Sequence, residues 1–240
     1  MKSKKFLELS ILIFGLLFSC KKDDIDRTID EFYLPLINPV DFVSSVTNPF
    51  MPLVPGTKYT YNVQTDEGTE VVELTVTTDT ISIMSVKCIV VTDVLKNNKG
   101  DILESTLDWY AQDKDGNVWY FGEDTKEYEN GKVSSTAGTW KAGVNGAQPG
   151  IVMPGKPILG IPYRQEYLFN EAEDMGKIIS TSETVTVPYG TFNNCIMTEE
   201  WTPLEPNVVE HKYYASGIGN VKTIMIKGGN EVAELLTKTK

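Results

Sequence analysis

The sequence predicts an all-β or β-dominated protein in which consecutive strands form antiparallel hairpins. Polar and apolar residues alternate over many short runs, as in residues 57–64, where apolar residues take every second position. Turn-forming residues separate these runs, as at residues 97–100 and 113–117. Glycines and prolines recur throughout residues 142–162, too often for a helix. Alternation with a period of two between turn signals is the pattern of half-buried strands.

The strands of the domain are predicted to begin after residues 48–56, where closely spaced prolines and Gly56 force a turn. In the first half, the predicted strands are residues 57–64, 69–78, 81–95 and 102–112. Further along, residues 177–187 alternate as one long strand that ends in a Pro-Tyr-Gly turn. A single domain of residues 48–240 accommodates all of these strands, because a chain of this length can bury one core.

Residues 113–117, Asp-Lys-Asp-Gly-Asn, admit two interpretations. Alternating oxygen-bearing side chains suit calcium, but the EF-hand loop has its glycine at position six and a glutamate at position twelve. Here Gly116 is fourth and Asp124 is twelfth. A hairpin turn uses the same residues for backbone reasons, because Asp-Gly readily supplies a positive φ. We therefore expect a turn here and no metal site.

Aromatic residues crowd both sides of this turn: Trp109, Tyr110, Trp119, Tyr120 and Phe121. Cross-strand aromatic pairs stabilise a hairpin by roughly 0.2–1 kcal/mol each, which is a sufficient structural reason for them. The functional alternative is a platform on which a sugar ring or an apolar ligand stacks. The pattern alone is compatible with both interpretations.

Residues 142–162 are predicted to form a long ordered loop without a helix or a central strand. Loops of this length are uncommon in compact domains and are usually functional or disordered. The apolar residues of this one, among them Met153 and Leu159, argue against disorder. We expect the loop to pack across an open face of the sheet.

Candidate catalytic residues are few. His211 is the one histidine, which excludes a zinc site with several imidazole ligands. The alternation puts it on the same strand face as Tyr213, as an ordinary sheet residue. We therefore predict a protein that is not an enzyme and uses no cofactor.

Carboxylates are plentiful in the C-terminal half: Glu166, Glu173, Asp174, Glu199, Glu200, Glu205 and Glu210. A solvated acidic face explains them most simply. A pair of them could also serve a hydrolase, but the required separation of the two carboxyl groups cannot be read from a sequence.

The charge balance argues against nucleic acid as a partner. The chain has 22 basic and 33 acidic residues and a net charge of −11, and no Lys/Arg cluster follows Lys21 and Lys22. A basic patch is the usual electrostatic footprint of phosphate binding. Cys88 and Cys195 lie in apolar strand-like runs, where they are either buried thiols or, in an oxidising compartment, a disulfide.

The start of the chain resembles a bacterial lipoprotein signal. Three lysines precede an apolar run that is too short to span a bilayer, and small Ser19 comes directly before Cys20. This resemblance to the lipobox implies removal of residues 1–19 and attachment of palmitate-type acyl chains to Cys20. The membrane would then be a partner of the protein through its N-terminal lipid.

Residues 20–47 are predicted to be a flexible tether, since they are acidic and then studded with prolines. Their Lys-Lys-Asp-Asp start resembles the acidic tags that route some lipoproteins to the outer face of the outer membrane. A solvated linker would look the same. The expected location is the bacterial outer membrane, facing either the periplasm or the cell surface.

Three stretches resemble a group of secreted and lipid-anchored bacterial β proteins. They are the Pro-Leu-Val-Pro-Gly start at residues 52–56, a "V-P-x-G-T-F" turn at 187–192 and a "Y-A-x-G-V-G-x-V-K" hairpin at 214–222. This group is similar to the lipoprotein-carrier (LolA-like) superfamily. The resemblance implies one strongly curved antiparallel sheet, a half-barrel, around an apolar concavity that holds lipid acyl chains, with the long Gly/Pro loop across one face.

The resemblance, the aromatic hairpin and the apolar loop together predict a non-catalytic protein that binds an apolar or amphiphilic ligand, such as a lipid, or an envelope partner. Trp109, Trp119, Met153 and Leu159 are predicted to contribute apolar walls to the ligand site. The alternative is a surface lipoprotein that binds or cleaves carbohydrate.

Overall fold

A computed structural model describes residues 33–240 of the chain. The predicted signal of residues 1–19, the lipidation site Cys20 and the acidic start at residues 21–24 lie outside the described residues. The described part contains one short 3-10 helix, Pro39–Asp41, and sixteen strands. The strands are β1 (Phe42–Val43), β2 (Lys58–Thr65), β3 (Gly68–Ile83), β4 (Val86–Lys96), β5 (Ile102–Asp113), β6 (Val118–Glu129), β7 (Lys132–Ser135), β8 (Trp140–Lys141), β9 (Gln148–Met153), β10 (Pro162–Arg164), β11 (Glu166–Tyr167), β12 (Met175–Val187), β13 (Gly190–Trp201), β14 (Val209–Ala215), β15 (Gly219–Lys227) and β16 (Val232–Thr239).

All sixteen strands belong to one antiparallel sheet. Its main path runs β10-β12-β13-β14-β15-β16-β2-β3-β4-β5-β6-β9-β11, and β1, β7 and β8 pair with strands along that path. Most neighbours are consecutive hairpins, but β16 pairs with β2 from Val232 opposite Gln64 to Thr239 opposite Lys58. The predicted all-β class and the single curved antiparallel sheet are therefore confirmed.

The sheet is nearly closed. The two ends of its path, β10 and β11, are consecutive along the chain and are separated by Gln165 alone. Gly150 on β9 has no room for a side chain, because a Cβ atom there would overlap the backbone of Arg164 and Gln165. The ends of the path therefore meet tightly, and the inner face of the sheet encloses an interior.

The segment of residues 142–162 contains a strand in the interior of the sheet path, contrary to the prediction that it would have neither a helix nor a central strand. β9 pairs with β6 through Gly150, Ile151 and Met153, and with β11 through Gln148 and Pro149. At Pro149, β9 is paired with β11 but not with β6, whose pairing starts at Gly150. The missing N–H of proline is therefore tolerated at this position. The rest of the segment is more exposed than predicted, with Leu159 at 55%.

The turn predicted at residues 113–117 is confirmed. Oδ1 of Asp113 accepts hydrogen bonds of 2.9 Å from the backbone N–H groups of Asp115 and Asn117. Its Oδ2 accepts one of 2.8 Å from Nε1 of Trp119. A different turn was missed: Met84 and Ser85 connect β3 to β4 with φ values of 49° and 64°, although neither residue type favours a positive φ.

The described part of the predicted tether, residues 33–47, packs against the sheet. β1 pairs with β5, with Phe42 opposite Asp113. Val46 is 2% exposed, and the hydroxyl of Tyr33 donates a 3.0 Å hydrogen bond to the carbonyl of Pro149. The packed part of the chain therefore extends upstream of the predicted boundary at residue 48.

Both cysteines of the domain are free thiols. Cys88 lies on β4 and Cys195 on β13, and both are fully buried. Burial raises the pKa of the Cys88 thiol to about 12. Within residues 33–240, no helix has the length and apolar character needed to cross a membrane.

Candidate ligand-binding site

A cavity of ≈ 100 Å³ lies inside the curved sheet. Its lining comes from strands all around the sheet path, from β2 through β15. Aromatic and charged lining residues are Tyr59, Tyr61, Tyr110, Tyr120, Tyr214, Asp93, Asp108, Glu166, Asp174, Glu200 and Lys212. Met51, Leu74 and Val152 also line it and are only half-buried, so the cavity approaches solvent beside these residues.

Strand alternation brings these side chains to the inner face in pairs. Asp108 and Tyr110 on β5 are two residues apart, as are Lys212 and Tyr214 on β14. Residues two apart on a strand point to the same side of the sheet. The inner face of this sheet is therefore polar at positions that normally carry aliphatic residues.

A β-bulge at Gly122 adds an acid to the inner face. Asp108 and Tyr110 are opposite Glu123 and Tyr120, so β6 has one residue more than β5 between these two pairs. Gly122 takes φ 123° in the bulge, a value that favours glycine. The extra residue turns both Tyr120 and Glu123 toward Asp108, as bulges near functional sites often do.

The tyrosine hydroxyls are committed to fixed acceptors. Tyr120 donates to Oδ1 of Asp108 at 2.6 Å, and Tyr214 donates to Oε1 of Glu200 at 3.3 Å. Tyr61 donates to the carbonyl of Asn220 at 3.0 Å. These hydrogen bonds fix the rings of Tyr120, Tyr214 and Tyr61. The ring of Tyr110 stacks on that of Tyr120, with 4.9 Å between the ring centres.

Lys212 is the one basic residue in the cavity lining. Its Nζ lies 2.9 Å from Oε2 of Glu200 and 3.7 Å from Oε2 of Glu210, and all three side chains are buried. Burial alone would lower the pKa of Lys212, but the charges of Glu200 and Glu210 raise it above its ordinary value. Lys212 is therefore a permanent cation that neutralises its two acidic neighbours only in part.

On the β4–β6 side, three buried carboxyl groups crowd together. Burial raises the pKa of Asp108 to about 7, against the lowering effect of the Tyr120 hydrogen bond. Burial and the nearby Asp108 and Glu104 raise the pKa of Asp93 well above its ordinary range. Burial, and after it the charge of Asp108, also raises the pKa of Glu123 well above its ordinary range. These groups hold protons at neutral pH far more than exposed carboxyls do.

A separate pair of acidic side chains lies where the sheet closes. Glu166 is on β11, and Asp174 immediately precedes β12. A backbone hydrogen bond of 2.7 Å from the N–H of Gln165 to the carbonyl of Asp174 holds these two segments together. Burial and the charge of Asp174 raise the pKa of Glu166 well above its ordinary range. Burial raises the pKa of Asp174 to about 7. The two carboxyls together therefore favour carrying a shared proton over a double negative charge.

Two buried acceptor atoms of lining residues have no hydrogen-bond partner within the described chain. They are Oδ1 of Asp174, whose residue is 3% exposed, and Oδ1 of Asn220, whose residue is 8% exposed. An unsatisfied buried polar atom costs roughly 1–3 kcal/mol. Two residues of the cavity lining therefore carry acceptor atoms whose hydrogen-bonding capacity is unused within the described chain.

The four predicted wall residues do not line this cavity. Trp109 and Trp119 lie between inward-facing neighbours on their strands, so alternation turns them to the opposite face, where Trp119 packs edge-on against Phe42 at 6.2 Å. Met153, the last residue of β9, is fully buried, and Leu159 is mostly exposed. The structure does not bring these four side chains together at one site.

The acidic residues of the C-terminal half are not one solvated face. Glu166, Glu173, Asp174, Glu200 and Glu210 are all buried. Glu199, by contrast, is on the outer side, 2.7 Å from Lys177 and 3.8 Å from Nε2 of His211. Sequence reasoning missed the inward set because polar strand positions normally face solvent; alternating Glu210, Lys212 and Tyr214 were the available signal.

Within residues 33–240, no group of three or more His, Cys, Asp or Glu side chains is arranged to hold a metal ion. The cavity carboxyls are instead held by threonine and tyrosine hydroxyls, as in the 2.7 Å bond from Thr198 to Glu200.

No protein-family model matches the chain, and no curated protein matches it significantly. Two solved structures are similar to it. One, from Bacteroides fragilis, is described as an exported protein with a YmcC-like fold; it is 18% identical with a TM-score of 0.43, over 80% of this chain and 99% of that one. The other, from Parabacteroides distasonis, is described as a lipoprotein; it is 13% identical with a TM-score of 0.44, over the same shares. Neither likeness is strong enough to carry an argument about this chain.

Proposed function

We propose that this chain is a lipid-anchored protein of the bacterial outer membrane, whose β domain binds a small polar or amphiphilic ligand without chemically changing it. The observation that carries the proposal is the interior cavity, whose buried lining includes acceptor atoms without partners. Cys20 and the signal before it support the anchor.

The size of the cavity limits what enters it. A cavity of 150 Å³ accommodates benzene, so one of ≈ 100 Å³ admits about four or five non-hydrogen atoms. An acyl chain, as held by the carriers that the sequence resembles, is far larger. An amphiphile would therefore insert its head group here and leave its apolar part toward half-buried Met51 and Val152.

Carbohydrate is the second candidate, favoured by the tyrosine walls and the buried carboxyls. A pyranose ring exceeds the size limit, so a sugar would have to bind through a substituent. This alternative predicts saturable binding of an oligosaccharide, or its turnover, in place of binding of a small head group.

Calorimetric titration of the acylated full chain in nanodiscs tests the proposal. The titrants are small amines, small polyols, lysolipids and oligosaccharides. Saturable binding of a small polar compound or a lysolipid is the expected result. Val152→Trp, which places a large ring at the solvent side of the cavity, should abolish it, whereas Val133→Trp on exposed β7 should not. Binding that survives Val152→Trp, or binding of oligosaccharides only, would contradict the proposal.

A further inference from the structure

The charges around the cavity are unbalanced. Five lining residues carry carboxyl groups (Asp93, Asp108, Glu166, Asp174 and Glu200), and one, Lys212, carries an ammonium group. Lys212 is engaged with Glu200 at 2.9 Å and with Glu210 at 3.7 Å. Burying a carboxylate without a counter-charge is costly, so the remaining carboxyls must stay protonated or acquire a cation.

The unpartnered atoms specify the donors that such a cation needs. Oδ1 of the uncharged Asn220 accepts hydrogen bonds and cannot donate them, and Oδ1 of Asp174 behaves in the same way when that carboxyl is ionised. A quaternary ammonium has no N–H group for them, whereas a primary ammonium has three. Aromatic walls suit a cation as well, because the negative face of a ring attracts it.

We infer that the cavity binds a primary ammonium group on a short carbon chain, held by Asp174, Asn220 and the neighbouring carboxyls. The inference rests on the proposed function and names its ligand class. The size limit of about four or five non-hydrogen atoms fits an ethanolamine unit, either as the free amine or as the head group of a lipid. If the ammonium belongs to a lipid head group, the rest of the lipid would extend past Met51 and Val152.

Binding of a cation should also depend on pH. Asp174 faces Glu166 of β11, Glu200 of β13 and Lys212 of β14, and its pKa is raised to about 7 by burial. A cation favours the ionised carboxyl, so binding releases protons when the empty site is protonated. Affinity should therefore rise between pH 6 and pH 8, over which a primary amine stays charged.

The test titrates the full chain in nanodiscs with three small probes of similar size. Ethanolamine offers an ammonium with N–H donors, ethylene glycol is its neutral counterpart, and tetramethylammonium is a cation without donors. Ethanolamine should bind at least about tenfold more tightly than either. Nanodiscs that contain phosphatidylethanolamine or phosphatidylcholine then distinguish a lipid head group from a free amine as the natural ligand. If the ligand is a lipid head group, phosphatidylethanolamine should compete with free ethanolamine for the cavity, and phosphatidylcholine should not.

Three variants complete the test. Asp174→Asn should weaken ethanolamine binding at least about tenfold, and the matched outer-face variant Glu199→Gln should not. Asn220→Leu removes the other unpartnered acceptor and should also weaken ethanolamine binding, and the melting temperature of each variant checks that it is folded. If ethylene glycol binds as well as ethanolamine, the inference fails and the proposed function stands. If no small probe and no lipid binds, both fail.

Discussion

The hydroxyl of Tyr120 on β6 donates a 2.6 Å hydrogen bond to Oδ1 of Asp108 on β5, in the interior of the sheet. Asp108 also faces Asp93 on β4 and Glu123 on β6, each of which responds to its charge. Burial raises its pKa to about 7, well above the usual value near 4. The folded protein therefore binds the Asp108 proton more tightly than the unfolded chain does.

This relationship predicts that stability falls as pH rises. A carboxyl with a raised folded pKa contributes its full stabilisation below about pH 4 and loses it as pH rises through about 7. Asp174 and Glu210, each with a pKa of about 7, add to the effect. Urea unfolding should give a lower free energy of unfolding at pH 8 than at pH 5, with a smaller difference for Asp108→Asn. Exposed Asp79→Asn is the control and should keep the wild-type difference; a wild type that is more stable at pH 8 would contradict the prediction.

The Lys212–Glu200 ion pair should matter far more than an exposed pair of similar geometry. Lys212→Met leaves Glu200 buried without its cation, which should cost about 3–5 kcal/mol. Lys222 lies 2.7 Å from Glu234, but both side chains are partly exposed, so Lys222→Met should cost no more than about 1 kcal/mol. Chemical denaturation at pH 7 measures both. Equal losses from the two variants would show that burial of the first pair has no energetic weight.

The bulge at Gly122 should not tolerate a side chain. A Cβ atom there would overlap the carbonyl oxygen of Trp140, whereas at Gly68, with the similar φ of 129°, nothing lies within 4 Å. Gly68→Ala should cost about 1–3 kcal/mol through backbone strain alone. Gly122→Ala should cost about 1–3 kcal/mol more through overpacking. If the two variants unfold at the same denaturant concentration, the close contact with Trp140 is unimportant.

Cys20 should be the only lipid attachment point. In a Gram-negative host, Cys20→Ser should abolish incorporation of radiolabelled palmitate and move the protein from the membrane to the soluble fraction. Cys195→Ser, which alters a buried thiol of the domain, should keep the label. Wild-type protein without label in the soluble fraction would overturn the assignment.

Most strands could be predicted because the signals that define them, alternation and turn residues, are local in the sequence. Alternation and turn residues located β2, β5 and β12 to within a few residues. The Met84–Ser85 turn escaped because its positive φ values are imposed by the hairpin and not by residue type. β9 was not predicted because it contains Pro149, which disfavours a strand. The proline is tolerated because β9 pairs there with β11 and not with β6, and no local sequence pattern reveals this pairing.

The cavity was not predictable from the same pattern. Alternation on β5 separates Asp108 and Tyr110 from Trp109, but it does not say which set faces inward. The usual rule would have placed the apolar set inside. Proximity of Glu166 to Asp174 depends on closure of the sheet, and the position of Glu123 depends on the bulge at Gly122. Both are long-range or irregular features.

The position of β16 between β15 and β2 has a consequence for how the protein is made. The strand that comes last along the described chain lies in the middle of the sheet, where Leu235 is opposite Tyr61. A nascent chain that has not yet reached β16 lacks the strand that joins the two halves of the sheet, and such long-range pairing forms slowly. The native sheet therefore cannot form until β16 has left the ribosome. A premature stop within Val232–Thr239 would leave β2 and β15 with unpaired backbone edges, which promote aggregation.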